Sequence, residues 1–395
     1  MNKLGLGLLG LGLALVGVGC QVTVNAPLPS SGCISKYEPD RDYFPVKTTV
    51  KHALGFEVSY HRHYKIITVK EPWQNAKQKF RYVLVQCGTP VPPGFQAAEI
   101  IQVPISSIVI LSTTHLPHLE KLELLDRLVA MSNLELIYGA ELQTRLKQLG
   151  VKDLGRGNTV NVEQILALRP GLVTAYGTGS TDRDRHPKLL EAGLKVALNA
   201  EYMESSPLGR AEWLKFTALF FNEEKQANQI FAEMETRYNK MAAIARTAKT
   251  QPTVVTGFHR NGTWYMAGGK SYVAQYLRDA GANYLWQNDA TRGSNPLSFE
   301  AVYRRGRSAD FWINVSQDWR SKEDILKADV RYRDFRAWQT GNVYIPNARI
   351  SPTGGNDYWQ SGIANPDVIL ADLVKIFHPE LLPSHQLFYY QKVAP

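Results

Sequence analysis

Two distant stretches of this chain repeat one pattern, and that repeat restricts the fold more than any other feature. The first runs from Asn161 through Glu163, Ile165 and Leu168 to Leu172-Val173. The second runs from Ser298 through Glu300 and Val302 to Phe311-Trp312-Ile313. Each has a capping residue, a Glu two places on, a short amphipathic helix, a turn and an apolar strand. The capping side chain satisfies a free N–H of the first turn, and the Glu sits where the helix dipole favours negative charge. One helix-strand unit used in both halves predicts two similar α/β lobes, and 395 residues exceed what a single core usually serves.

The surrounding pattern agrees. Phe56–Tyr60, Tyr64–Val69 and Arg81–Val85 alternate or are β-branched, so residues 34 to about 103 predict a β extension closed by Pro90, Pro92, Pro93 and Gly94. Strands then alternate with helices: Ile108–Leu111, a helix over Leu116–Met131, a strand at Leu136–Tyr138, helices over Glu141–Gln148 and Glu163–Leu168, and strands at Leu172–Tyr176 and Val196–Leu198. Leu208–Phe221 is helical, Asn222 breaks it, and Glu223 to about Ala248 forms a second run of ~39 Å. With no strand across this region, a single rigid helix is expected to join the lobes. Strand and helix then alternate again from Val254 to the helix over Asn365–Phe377. The fold class is therefore α/β: two lobes, each with a central mostly parallel sheet, joined by one long helix, with an N-terminal β extension on the first lobe. The expected divisions are 1–20 signal peptide, 21–33 tether, 34–206 first lobe with its extension, 207–250 connecting helical region and 251–395 second lobe.

The start has a separate purpose. Lys3 precedes an apolar, Gly-rich run from Leu4 to Val18, and Gly19-Cys20 follows. This is an export signal. It resembles a bacterial lipoprotein signal, which implies lipidation at Cys20 and a location in the periplasm or on the outer face of the cytoplasmic membrane. Gly17 departs from the Leu usual three places before that cysteine. Residues 25–31 read as a tether. Export permits a disulfide between the other two cysteines, Cys33 and Cys87, while two free thiols are the alternative. No internal segment reaches the ~18 apolar residues of a membrane span.

A net charge of +9 favours anionic ligands or an anionic surface. The basic clusters are short and carry no interleaved aromatics, which argues against nucleic acid. No Gly-x-Ser-x-Gly elbow, phosphate loop or His-Glu-x-x-His stands in the chain, which argues against an enzyme. His61, His63, His115 and His118 form two pairs, fewer than the three or four converging ligands a zinc or manganese site needs.

Four segments in order, Glu163–Val173, Leu189–Val196, Tyr276–Asn283 and His378-Pro379-Glu380, resemble the substrate-binding proteins of bacterial ABC importers for ferric siderophores, haem and cobalamin. The likeness covers roughly residues 104–385, with Gly171 in place of an Asp usual in that family and the β extension poorly covered. The resemblance implies a monomer with no intrinsic cofactor. It implies a ligand such as a ferric chelate, haem or cobalamin, and a partner permease with its ATPase docked through Glu163 and Glu300. A binding protein for free zinc or manganese is the alternative, and a bilobal envelope enzyme a weaker one.

Ligands of such folds bind outside the carboxyl ends of the strands, between the lobes. That rule selects Thr113 and His115, Tyr176, and Tyr202 on the first lobe. On the second it selects Trp264, Tyr265, Arg292, Trp319, Arg349, Tyr358 and Trp359, with Tyr176, Trp264 and Arg349 foremost. Aromatic rings offer rigid surface to a macrocycle or catechol, and Arg pairs with anionic oxygens.

Overall fold

A computed structural model describes residues 33–156, 161–180 and 182–395. The signal peptide, Cys20 and the tether through residue 32 lie outside the described residues.

The β extension is one four-stranded sheet. Strands β1 (Phe56–His61), β2 (Tyr64–Val69) and β3 (Phe80–Gln86) form an antiparallel meander, and β4 (Ile100–Val103) joins β3 in parallel. Cys33 and Cys87 are bonded, with Cα atoms 4.5 Å apart, which ties the leading segment to the end of β3.

The first lobe is a parallel sheet of β5 (Ile108–Ile110), β6 (Leu128–Met131), β7 (Lys152–Asp153), β8 (Leu172–Ala175) and β9 (Val196–Leu198), in the order β7-β6-β5-β8-β9. All residues of β5, β8 and β9 are buried, as expected where both faces of a sheet are covered. The expected helix over Leu116–Met131 is shorter: it covers Leu116–Lys121, and Leu128–Met131 is strand β6. Glu123 takes a left-handed conformation with φ of 57°, and Leu124 N–H returns to the Leu119 carbonyl, which ends the helix. Leu134–Leu136 is a 3-10 turn, so the expected strand at Leu136–Tyr138 is absent.

Two helices carry the chain between the lobes, divided where the sequence indicates, and the longer second one is the connecting helix. Pro207–Leu219 is buried at every residue, and Glu224–Ala245 spans 22 residues, ~33 Å. Asn222, with φ of 62°, makes the break between them.

In the second lobe the main sheet contains β10 (Thr253–Thr256), which continues after Gly257 into β11 (Phe258–Arg260). β11 pairs with β12 (Thr263–Ala267) in a small antiparallel sheet. The remaining strands are β13 (Asn283–Tyr284), β14 (Ser294–Leu297), β15 (Phe311–Ile313), β16 (Val343–Ile345) and β17 (Gln391–Lys392). The main sheet runs β13-β10-β15-β16-β17, parallel except at β17; the small one runs β11-β12-β14.

Buried charges fasten the extension to the connecting helices. Glu212 accepts backbone N–H groups of Lys51, His52 and Ala53 at 3.0, 2.7 and 2.9 Å. Glu204 accepts those of Leu54 and Gly55, and the Trp213 indole N–H at 2.8 Å. Lys65 donates to Glu224 at 2.6 Å, to Asn222 at 2.8 Å and to the Leu219 carbonyl at 2.7 Å. Burying each of these charges is offset only because its partners satisfy it.

Candidate functional site

The helix caps set the position of the two matched glutamates. Asn161 accepts the N–H of Gln164 at 2.9 Å, and Ser298 accepts that of Ala301 at 3.2 Å. Glu163 and Glu300 therefore fall in the first turns of helices Val162–Leu168 and Phe299–Gly306, and both are exposed. Arg331 lies 3.5 Å from Glu300 and 3.6 Å over the ring of Phe299.

A cavity of about 520 Å³ opens at the carboxyl ends of β10, β15 and β16. Its floor is Thr256-Gly257-Phe258 and Asn314 to Asp318, with Pro346. Tyr265, Met266 and Ala267 form one side, and Ser271, Tyr272 and Val273 come from the start of helix Tyr272–Asp279. Tyr202 enters from the first lobe, and Arg260 and Trp359 also line it. Its volume is within the range of small-molecule sites. Tyr265 and Trp359 are the exposed rings, at 51% and 41%.

Gly257 is the point where β10 turns into β11. Its φ is 75°, and a Cβ there would collide with the Tyr265 carbonyl oxygen. The close approach of these two backbones shapes the floor.

Behind the cavity lies a buried charge pair. Arg210 donates to Glu201 at 2.5 Å, and its guanidinium lies 4.5 Å from the centre of the Tyr272 ring. Burial raises the Tyr272 hydroxyl pKa above its ordinary value. Tyr272 therefore presents a neutral phenol beside the cavity.

Of the residues selected from sequence, Tyr202, Tyr265 and Trp359 line the cavity. Tyr176 is 43% exposed just after β8, and Thr113 sits half-buried in the turn after β5; neither lines it. Four others belong to the packing instead. Trp264 is fully buried, donates its indole N–H to the Thr256 carbonyl at 2.9 Å and stacks on Trp312 and Phe335. Trp319 packs against Phe258, Trp312 and Tyr332. Tyr358 is 2% exposed among Trp359, Tyr389 and Tyr390. His115 is buried against Thr174, 3.1 Å from its hydroxyl, and desolvation lowers its pKa to about 3. It is a neutral core imidazole.

The two arginines are already paired. Arg349 donates to Asp357 at 2.6 Å and lies over the rings of Tyr138 and Phe388. Arg292 donates to Glu71 at 2.5 Å. Among the lining residues missed from sequence are Tyr272 and the run Asn314–Asp318. The latter follows β15 directly, so the strand-end rule, applied to that strand as well, would have found it.

The comparisons agree with this geometry. An uncharacterized lipoprotein of Methanocaldococcus jannaschii is 27% identical over 307 residues, covering 74% of this chain and 70% of its own. A periplasmic heme binding protein from Pseudomonas aeruginosa shares the fold with a TM-score of 0.53 at 18% identity, over 74% of this chain and 99% of its own. An ABC-type Fe3+-hydroxamate transport system protein from Saccharomonospora viridis does so with a TM-score of 0.53 at 16% identity, over 70% of this chain and 94% of its own. The family model for periplasmic binding proteins matches residues 108–349, more than half of the 395. Two parallel-sheet lobes with a cavity at the strand ends of the second, together with that match, show that this chain belongs to the periplasmic binding protein family.

Proposed function

We propose that the protein is the extracytoplasmic solute-binding component of an ABC importer and captures an iron chelate or related cofactor between its lobes. The observation that carries this reading is the aromatic cavity at the strand ends, entered by Tyr202 from one lobe and built mainly by the other. Tyr202, Tyr265, Tyr272 and Trp359 offer flat apolar surface, and Arg260 supplies a cation for an anionic chelate. No resident cofactor is required for this function.

Glu163 and Glu300 are the residues proposed to dock on the permease, as two exposed carboxylates on equivalent helix starts. Lipidation of Cys20 would hold the protein at the outer face of the cytoplasmic membrane, a reading supported by the lipoprotein relative. The same reading divides the chain into signal 1–20, tether 21–33, first lobe 34–206, connector 207–250 and second lobe 251–395.

Purified protein titrated with haemin, ferric catecholates, ferric hydroxamates and cobalamin, followed by tryptophan quenching, tests the ligand class. Saturable binding of one of these, weakened at least tenfold by Trp359→Ala, is the expected result. Binding of Zn²⁺ or Mn²⁺ alone would replace this reading with the metal-ion alternative.

A further inference from the structure

The loop between β2 and β3 leaves the extension and makes contacts with both lobes. On the first-lobe side, Trp73 lies against Gly177 and Gly179, which follow β8. A Cβ at those glycines would come within 2.6 and 2.7 Å of the indole, so the two glycines form its cradle. The Tyr202 hydroxyl, on a cavity-lining residue, donates to the Gly177 carbonyl at 2.5 Å and stands 3.4 Å from that of Pro72. On the second-lobe side, Glu71 accepts from Arg292 at 2.5 Å, and Gln74 Oε1 would stand 4.0 Å from a Cβ built on the adjoining Gly293, a cavity-lining residue. One loop thus reaches the lining residue Tyr202 of the first lobe and Arg292, which adjoins the lining residue Gly293, of the second.

We propose that residues 70–79 form a third wall of the ligand cleft, with Trp73 as the anchor on the first lobe and Glu71–Arg292 as the contact across to the second. This inference rests on the cleft being the ligand site. The wall is asymmetric. Trp73 is held by shape, whereas the ion pair is half-exposed, with side chains 50% and 38% accessible. Such pairs are weak and open readily. The loop therefore stays with the first lobe and releases the second, and the frequency of that release limits how fast a bulky chelate enters. The extension, absent from the residues the family model matches, becomes part of the binding site.

Stopped-flow quenching with haemin and a ferric trihydroxamate tests this on the mature protein. Glu71→Gln and Arg292→Gln are each expected to speed association about two- to fivefold, the range open to a surface pair. The double variant should be no faster than either single, and the swap Glu71→Arg with Arg292→Glu should restore the slower rate. Unchanged rates, or additive effects in the double variant, would overturn the proposal. Hydrogen exchange without any ligand gives an independent reading. Glu71→Gln should accelerate exchange in residues 291–294 while residues 177–180 stay protected, and Trp73→Ala should release 177–180. If wild-type protein binds neither probe, the proposed ligand class fails, and the exchange result decides on the wall. No change in exchange in either variant would then overturn it.

Discussion

Lys65 Nζ, wholly withdrawn from water on β2, lies 2.6 Å from Glu224 Oε1 at the start of the long connecting helix. This pair joins the β extension to the element that links the lobes. Burial lowers the Lys65 pKa, and Glu224 acts in the opposite direction. The ammonium also lies 4.5 Å from the centre of the Phe44 ring and finds three oxygen acceptors.

Removing one partner leaves an uncompensated buried charge. Lys65→Met is therefore expected to destabilise the protein by about 3–5 kcal/mol. Adding Glu224→Gln should recover a large part of that loss. Urea unfolding of the wild type and these two variants measures both effects, and a double variant as unstable as the single would contradict the pairing argument.

Acid should weaken the fold well above the carboxylate range. His115 and His118 are buried, and burial lowers both pKa values from 6.5 to about 3. As pH falls below 6.5 the unfolded chain takes up protons that the folded chain refuses. Their contribution is complete above pH 6.5 and is lost progressively as pH falls toward 3. At pH 5 the loss should be about 2 kcal/mol per histidine. Denaturant midpoints measured from pH 7 to 5 should fall, and His115→Gln should make that fall smaller.

The Cys33–Cys87 bond closes a loop with a sequence separation of 54. Chain-entropy reasoning assigns such a loop about 4 kcal/mol of stabilisation. Reduced protein, or Cys33→Ser with Cys87→Ser, should unfold at lower denaturant concentration by that order. An unchanged midpoint would show that the leading segment contributes no constraint.

Glu163→Ala and Glu300→Ala should change thermal stability by less than about 0.5 kcal/mol, since both side chains are exposed. Ligand affinity should not change either. Delivery to the permease in a reconstituted uptake assay should fall, most in the double variant. Full uptake by the double variant would remove the docking role.

Much of the architecture was legible because parallel strands covered on both faces must be apolar runs, as Ile108–Ile110 and Val196–Leu198 are. The capping residues Asn161, Ser271 and Ser298 likewise mark helix starts that the backbone follows. Two kinds of information were missing. Leu119, Leu122, Leu125 and Leu128 fit a helical stripe, and nothing at Glu123 announces a left-handed turn. The site aromatics show the second gap. Trp264 and Tyr265 are neighbours on β12, yet one is fully buried and the other 51% exposed. Tyr358 and Trp359 divide in the same way. On β12 strand alternation dictates that adjacent rings part company, but only the packed sheet decides which faces the cleft, whereas Tyr358 and Trp359 stand in a turn where no period applies. Lys65 illustrates the same limit, since its in-facing register on β2 is set by Ile67 and Val69 rather than by its own chemistry.

The Pro207–Leu219 helix has no outward side: Phe56 of the extension packs against its Trp213, and Arg210 reaches Tyr272 of the second lobe. A break in the polypeptide at this junction would leave either fragment with a raw apolar scar, so neither half could be produced alone as a soluble piece. Engineers seeking a minimal capture module from this scaffold must keep the whole of it.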